Sequence, residues 1–490
     1  MMKLITGFLS FLLFISAKAQ LKSPEQFLGY KVGTHYTPHF KVINYFQHVT
    51  ANAASEVKLE QYGETNEGRP LMVAFVSSAE NIQNLDNIRK NNLRLANEGD
   101  KTNASESAPV IVWLSYNVHG NEASSTEASM LVLYSLVDPS NTKTKEWLKN
   151  TVVVIDPCVN PDGRDRYVNW FNSIAGKDYN PSLVAREHFE PWPGGRTNHY
   201  NFDLNRDWAW QTQIESQERL KLYNDWLPQI HVDYHEQGVN NPYYFAPAAE
   251  PYHEVITPWQ REFQVTIGKN DAKYFDENGW LYFTKEEFDL FYPSYGDTYP
   301  LYNGAIGMTN EQAGNSRSGL GILMDDGDTL TLVDRALHHY TTSLSTIEMS
   351  SQNAERLIKE FHKFFNDAVT NGVGEYKSYI IKNSPNDEQK IKPVLELLDR
   401  NKIAYTAAKA GSASGYNYNS RKNENFTIDV NDILVSSQQP KSALIKVLFE
   451  PNGKLVDSVT YDITAWSLPY VFGLNAYASK QNLPSAGNLS

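Results

Sequence analysis

The 490-residue chain has one cysteine, Cys158, so no intrachain disulfide can form. That residue closes the apolar run Val152-Val153-Val154-Ile155-Asp156-Pro157-Cys158 and reads as a free core thiol rather than a nucleophile. The chain also lacks any Lys/Arg run long enough to neutralise a phosphate stripe. Its formal charge is -13 and its pI near 5.5, which excludes nucleic acid as an expected partner. Beyond the first twenty residues no apolar stretch approaches the roughly 20 residues of a membrane span. No internal repeat or low-complexity tract is evident.

What remains is ordinary globular composition, 41% hydrophobic and 21% charged, over a length that implies two domains with ample core. Residues 1–19 combine Lys3, an apolar run from Leu4 to Ile15, and Ala17-Lys18-Ala19 ahead of Gln20. This is the pattern of a secretory signal peptide, with an uncleaved amphipathic anchor as the alternative. The expectation is a mature chain starting near Gln20, secreted or periplasmic, without a transmembrane segment once the signal is removed.

Segments 56–63 and 71–77 bracket Asn66-Glu67-Gly68-Arg69-Pro70 as strand, turn and strand. Val110–Leu114 and Val152–Ile155 are continuous apolar runs, typical of central strands covered on both faces, and Glu122–Val137 between them has helical spacing. Residues 160–207, rich in Asn, Gly, Pro, Arg and aromatics, read as a long ordered loop. A helix is expected over Thr212–Leu227, a strand over Gln229–Tyr234, a helix over 258–278, a short strand over 304–310 and one or two helices over 330–370. From Glu375 onward, Tyr376–Ile381 reads as a strand, Lys390–Asn401 as a helix and Ala443–Phe449 as a strand, with a frayed polar tail from Ser479 to Ser490. The expected architecture is a three-layer α/β/α domain around a mixed, mainly parallel sheet over residues 20–372, followed by a smaller α/β or β-rich domain over 375–490.

A catalytic zinc takes three N or O ligands and keeps one position open. His119 and Glu122, at a strand-to-helix junction, can face one ion, and the carboxyl end of a buried strand is where α/β sheets place their sites. Ile230-His231-Val232-Asp233-Tyr234-His235 offers a third ligand. His235, toward the end of the strand beside Glu236-Gln237-Gly238, is preferred, and His231 reads as a structural histidine. His338 and His339 fall inside a helix and read as ordinary packing or surface residues. Arg164 and Arg166, close behind Asn160-Pro161-Asp162-Gly163, either bind anions with Arg196 or, as the favoured reading, pair at the surface with Asp162 or Asp165.

Taken together, His119-Gly120-Asn121-Glu122, Asn160-Pro161-Asp162-Gly163, Gly195-Arg196-Thr197-Asn198, Asp203-Leu204-Asn205-Arg206, His235 and Glu311 resemble the zinc metallocarboxypeptidase family, and most closely its regulatory branch, over roughly residues 30–350. The resemblance implies one zinc ion on His119, Glu122 and His235, with Glu311 as general base and Arg196 stabilising the oxyanion. It implies that Asn205 and Arg206 grip the terminal carboxylate of a peptide substrate and that Asp203 orients His119. The family's mobile-loop tyrosine has two candidates here, Tyr292 and Tyr295, and the floor of the side-chain pocket is unassigned. Two other readings use the same residues: a peptidase acting on peptidoglycan stem peptides or an amino-acid deacylase on the same zinc site, and a catalytically dead binding module.

Overall fold

The computed structural model describes residues 20–100, 102–455 and 466–489, so the expected signal segment lies outside the described residues. Up to residue 313 the strands are β1 (Val57–Glu64), β2 (Pro70–Val76), β3 (Val110–Tyr116), β4 (Thr151–Asp156), β5 (Ile230–Gln237), β6 (Tyr243–Tyr244), β7 (Ala249–Tyr252), β8 (Tyr282–Phe283), β9 (Asp289–Leu290) and β10 (Ile306–Ala313). Eight of them form one sheet in the order β1-β2-β4-β3-β5-β10-β6-β8. β3 runs parallel to β4 and β5, and β10 parallel to β5, while β1, β2 and β6 join antiparallel. The sheet is thus mixed, with its parallel strands at the centre.

Strand alternation shows why two helical layers cover it. Trp113 packs on Tyr223 of the helix Ile214–Trp226, with ring centroids 5.7 Å apart. Tyr116, three residues on and therefore on the opposite face, bonds Ser343 of the helix Leu332–Gln352 at 2.8 Å. Every residue of β3, β4 and β5 is buried, as the apolar runs required. From β3 the chain passes through the helix Ser124–Val137 to β4 on one side, then returns through Ile214–Trp226 to β5 on the other. The carboxyl end of β3 is therefore a switch point, where crossovers part and a crevice opens.

The C-terminal unit is β-rich. Between Ser378 and Gly487 it contributes a seven-stranded sheet whose pairings are all antiparallel. It shares a hydrophobic cluster with the larger sheet, through Leu397, Leu448 and Phe449 on one side and Tyr299 and Leu301 on the other.

Several elements differ from the sequence expectations. The stretch read as loop from residue 160 begins with a helix, Pro161–Ile174. Asn160 caps it, accepting from the Gly163 N–H at 2.9 Å, Pro161 sits in its first turn, and Tyr167, Val168 and Phe171 form its buried stripe. Polar residues in its first turn masked that stripe. β5 continues through Glu236 and Gln237, and β10 contains Glu311, because both keep pairing to Gln237↔Ala313. Ala443–Phe449, read as a strand, lies in a helix, Ser442–Phe449: a run apolar at nearly every position carries no period to distinguish the two. The tail expected to fray holds the strand Ser485–Gly487, paired with Ala407 and Ala408.

Candidate active site

At the end of β3, Asn117 adopts a left-handed conformation (φ 63°) that asparagine tolerates, and its amide donates to the carbonyls of His119 (2.7 Å) and Glu122 (3.0 Å). The Glu122 N–H closes the same turn on the His119 carbonyl at 3.0 Å. The turn thereby aims both side chains into the crevice. It also needs a close approach from the next motif: a Cβ on Gly163 would overlap the carbonyls of Gly195 and Thr197, so only glycine fits there.

His235 arrives from β5 and Glu311 from β10, directly paired in the parallel ladder. His119 Nδ1 stands 2.9 Å from one Glu122 oxygen, His235 Nδ1 3.1 Å from the other, and the two Nδ1 atoms are 3.2 Å apart. Each imidazole is oriented from behind. His119 Nε2 lies 3.0 Å from Asp203 Oδ1 and His235 Nε2 2.9 Å from Asp233 Oδ2. Two ring nitrogens turned toward each other over one carboxylate, with their far nitrogens on carboxylates, fit a divalent cation. The three ligand atoms lie within 4.8 Å of one another, and an N, N, O donor set with acidic partners behind the histidines suits zinc.

The electrostatics follow from this crowding. Burial pushes the Glu122 carboxyl up, but His119 and His235 beside it hold it below the ordinary carboxylate range. Burial lifts Glu311 well above that range, with His235 opposing and Glu122 adding to the lift. Asp203 is pushed up by burial and pulled further down by His119, Arg196 and Arg206.

A pocket of about 260 Å³ opens over this group, lined by His119, Glu122, Arg196, Asn205, Arg206, His235, Tyr295 and Glu311 among others. Arg196 reaches Glu122 at 3.2 Å and Asp203 at 3.0 Å. Arg206 lies over the Tyr295 ring at 4.6 Å. Asn205 accepts the Gly296 N–H at 2.8 Å, and its amide nitrogen is 3.1 Å from His235 Nε2. Asp203 stands behind the lining. Tyr292 is not brought to the pocket; its hydroxyl accepts from Trp210 Nε1 at 2.8 Å. His231, bonded to Ser115 at 2.9 Å, and His339, wholly buried, are packing residues, as read.

Neither reading of Arg164 holds. It is fully buried and paired with Glu127 at 2.8 Å, while Arg166 donates to the Gly194 and Asn198 carbonyls. Sequence reasoning also missed three residues. Asp233 had a signal, since it precedes His235 by two positions and so shares its face of β5. Asn117 and Asp297 had none. Asp297 lines the pocket 95% buried; one oxygen accepts from Thr309 at 3.0 Å, the other has no hydrogen-bond partner among the described residues, and burial lifts the carboxyl to about 7.

Two imidazoles and a carboxylate at the carboxyl ends of parallel strands, with a further carboxylate and two arginines around one pocket, define a metallohydrolase site in an α/β domain. Residues 42–226 match the model of the zinc carboxypeptidase family. The matched span includes His119, Glu122, Arg196, Asp203, Asn205 and Arg206; His235 and Glu311 lie beyond it and join through the sheet. No curated protein matches the chain. Among solved structures, a metallo-carboxypeptidase from Burkholderia cenocepacia is similar at 13% identity and TM-score 0.46, covering 64% of this chain and 70% of that one. A metallo-carboxypeptidase from Pseudomonas aeruginosa follows at 12% and 0.42, covering 64% and 69%. Carboxypeptidase A from Helicoverpa armigera stands at 13% and 0.41, covering 68% and 75%.

Proposed function

We propose that the chain is an exported carboxypeptidase that binds one zinc ion on His119, Glu122 and His235 and removes C-terminal residues from peptides. The observation that carries this reading is the convergence of those three donors within 4.8 Å, with Glu311 paired beside His235 and Arg206 in the same pocket. Zinc held there supplies a Lewis acid that makes water nucleophilic near neutral pH. Glu311 takes the proton of the attacking water and delivers it to the leaving amine, a task that its lifted proton affinity favours. Arg196, beside Glu122, stabilises the negative oxygen that develops on the scissile carbonyl. Arg206, with Asn205, receives the terminal carboxylate, for which a planar guanidinium offers two parallel hydrogen bonds.

Tyr295, under Arg206, is the tyrosine of the pair that faces substrate. Asp297 supports a preference for C-terminal residues with a cationic side chain, because its unpaired carboxylate oxygen is otherwise costly to bury. Export rests on the signal pattern of residues 1–19. No helix of the described residues is long and apolar enough to cross a membrane.

The test is hydrolysis of hippuryl-lysine and its C-terminal amide by zinc-loaded protein. The free acid is the expected substrate, cleaved faster than hippuryl-phenylalanine, and Glu311→Gln should retain zinc and lose turnover by about a thousandfold or more. Equal cleavage of acid and amide would remove the exopeptidase assignment.

A further inference from the structure

The pocket wall formed by Glu287 to Asp297 has little regular structure of its own, only the two-residue strand β9, and leads into the short helix Thr298–Tyr302. Hydrogen bonds such as Gly296 N–H to Asn205 and Ser294 hydroxyl to the Arg206 carbonyl anchor it, and a run of aromatic rings leads from it out of the catalytic unit. Arg206 lies over the Tyr295 ring at 4.6 Å, and Tyr295 meets Tyr292 edge to face at 5.0 Å. Tyr292 in turn meets Trp466 at 5.8 Å, and Trp466 also packs on the neighbouring Phe291 at 5.2 Å. Trp466 belongs to the C-terminal unit and is fixed there by its indole N–H, which donates to the Val447 carbonyl at 3.1 Å.

A second tie runs alongside. His253 stacks on Phe291 at 5.3 Å and bonds Glu450 of the C-terminal unit at 2.8 Å. Each ring pair is directional, so a displaced indole changes the packing of Tyr292 and, through it, the orientation of Tyr295 under Arg206. A guanidinium stacked over a ring feels a change in that ring's position.

We infer that Trp466 of the C-terminal unit is a positioning residue for substrate binding, acting through Tyr292 and Tyr295 on Arg206. The inference rests on the carboxypeptidase reading, and on that reading alone for the choice of substrate. It gives the C-terminal unit a role in the reaction although none of its described residues lines the pocket.

The experiment compares wild type, Trp466→Ala and Trp466→Phe as zinc-loaded full-length protein on hippuryl-lysine, with zinc content and Tm measured in parallel. The expected result for Trp466→Ala is a three- to tenfold rise in KM with kcat within about twofold and zinc content unchanged. Trp466→Phe, which keeps a ring, should recover most of that loss, and Tyr292→Leu, which interrupts the same run inside the catalytic unit, should reproduce it. An unchanged KM in Trp466→Ala overturns the inference. So does a loss that falls on kcat and zinc content together, or an alanine variant that fails to fold, because either makes Trp466 a folding residue only. Absence of wild-type cleavage of hippuryl-lysine would instead reject the carboxypeptidase reading, so the two failures are distinguishable.

Discussion

At the scale of single residues, the site is organised by acids that never need to touch substrate. Asp203 and Asp233 each stand about 3 Å behind a histidine, fixing which ring nitrogen keeps its lone pair for a cation. Asp233 comes from the same strand as its histidine, and a Cβ on Gly296 would overlap its carboxylate, so Gly296 leaves it the room it occupies. Replacing Asp233 with Asn should weaken zinc binding by about 10- to 100-fold, read by competition against a chelator. Unchanged affinity would show that His235 is oriented by Asn205 instead, whose amide nitrogen stands 3.1 Å from the same Nε2. The Arg164–Glu127 pair shows how a residue beside the motifs can be structural: both partners are wholly buried, and Glu127 also accepts from the Thr37 N–H and hydroxyl at 2.7 and 2.8 Å. Leaving either charge buried alone costs on the order of 3–5 kcal/mol.

Among whole elements, β3, β5 and β10 are what bring the site together, and the helix Pro258–Asn278 carries an acid with no part in it. Asp271 is buried against Ser345 of the helix Leu332–Gln352, and burial lifts its carboxyl to about 8 from an ordinary 3.8. The folded state therefore binds this proton more tightly than the unfolded chain. The stability it contributes is fully present below pH ~4 and is lost as pH rises toward about 8. Asp271→Asn should flatten that decline, so Tm measured from pH 5 to 8.5 should fall less than in wild type. Parallel profiles would mean that Asp271 is ionised in the fold. The elements themselves were legible wherever one period dominated: β1 to β4, the helix 214–226 and the long helices after residue 330 follow from alternation, apolar runs or 3.6-residue spacing. Pro161–Ile174 and Ser442–Phe449 were not, the first because capping residues look like loop, the second because its apolar run has no polar face.

For the molecule as a whole, the C-terminal unit is joined to the rest by more than a linker. Asn401 donates to the Ala209 carbonyl at 3.1 Å and accepts the Tyr299 hydroxyl at 2.8 Å, and the buried Lys441 amine reaches Asn224 and Asn303 at 2.9 and 3.0 Å. A chain truncated after residue 374 would expose that shared apolar face and leave those polar groups without partners. The expected outcome is insoluble protein or a Tm lowered by about 10 °C or more, and intact protein should melt in one transition. A truncated form with wild-type Tm and activity would reduce the C-terminal unit to a passenger. The approach of His119 to Glu122, the preference for His235 over His231 at the end of β5 and the α/β class could be read from the chain itself, because local spacing and apolar period depend only on neighbours in sequence; Arg196 and Arg206 came from the family resemblance. Tertiary structure alone decided that Tyr295 and not Tyr292 lines the pocket, that Asp297 joins it, that Arg164 is interior, and that Trp466 stands behind the wall. Those facts depend on which strands and rings lie side by side although distant in sequence, Trp466 and Tyr292 most of all, and no local pattern encodes that adjacency.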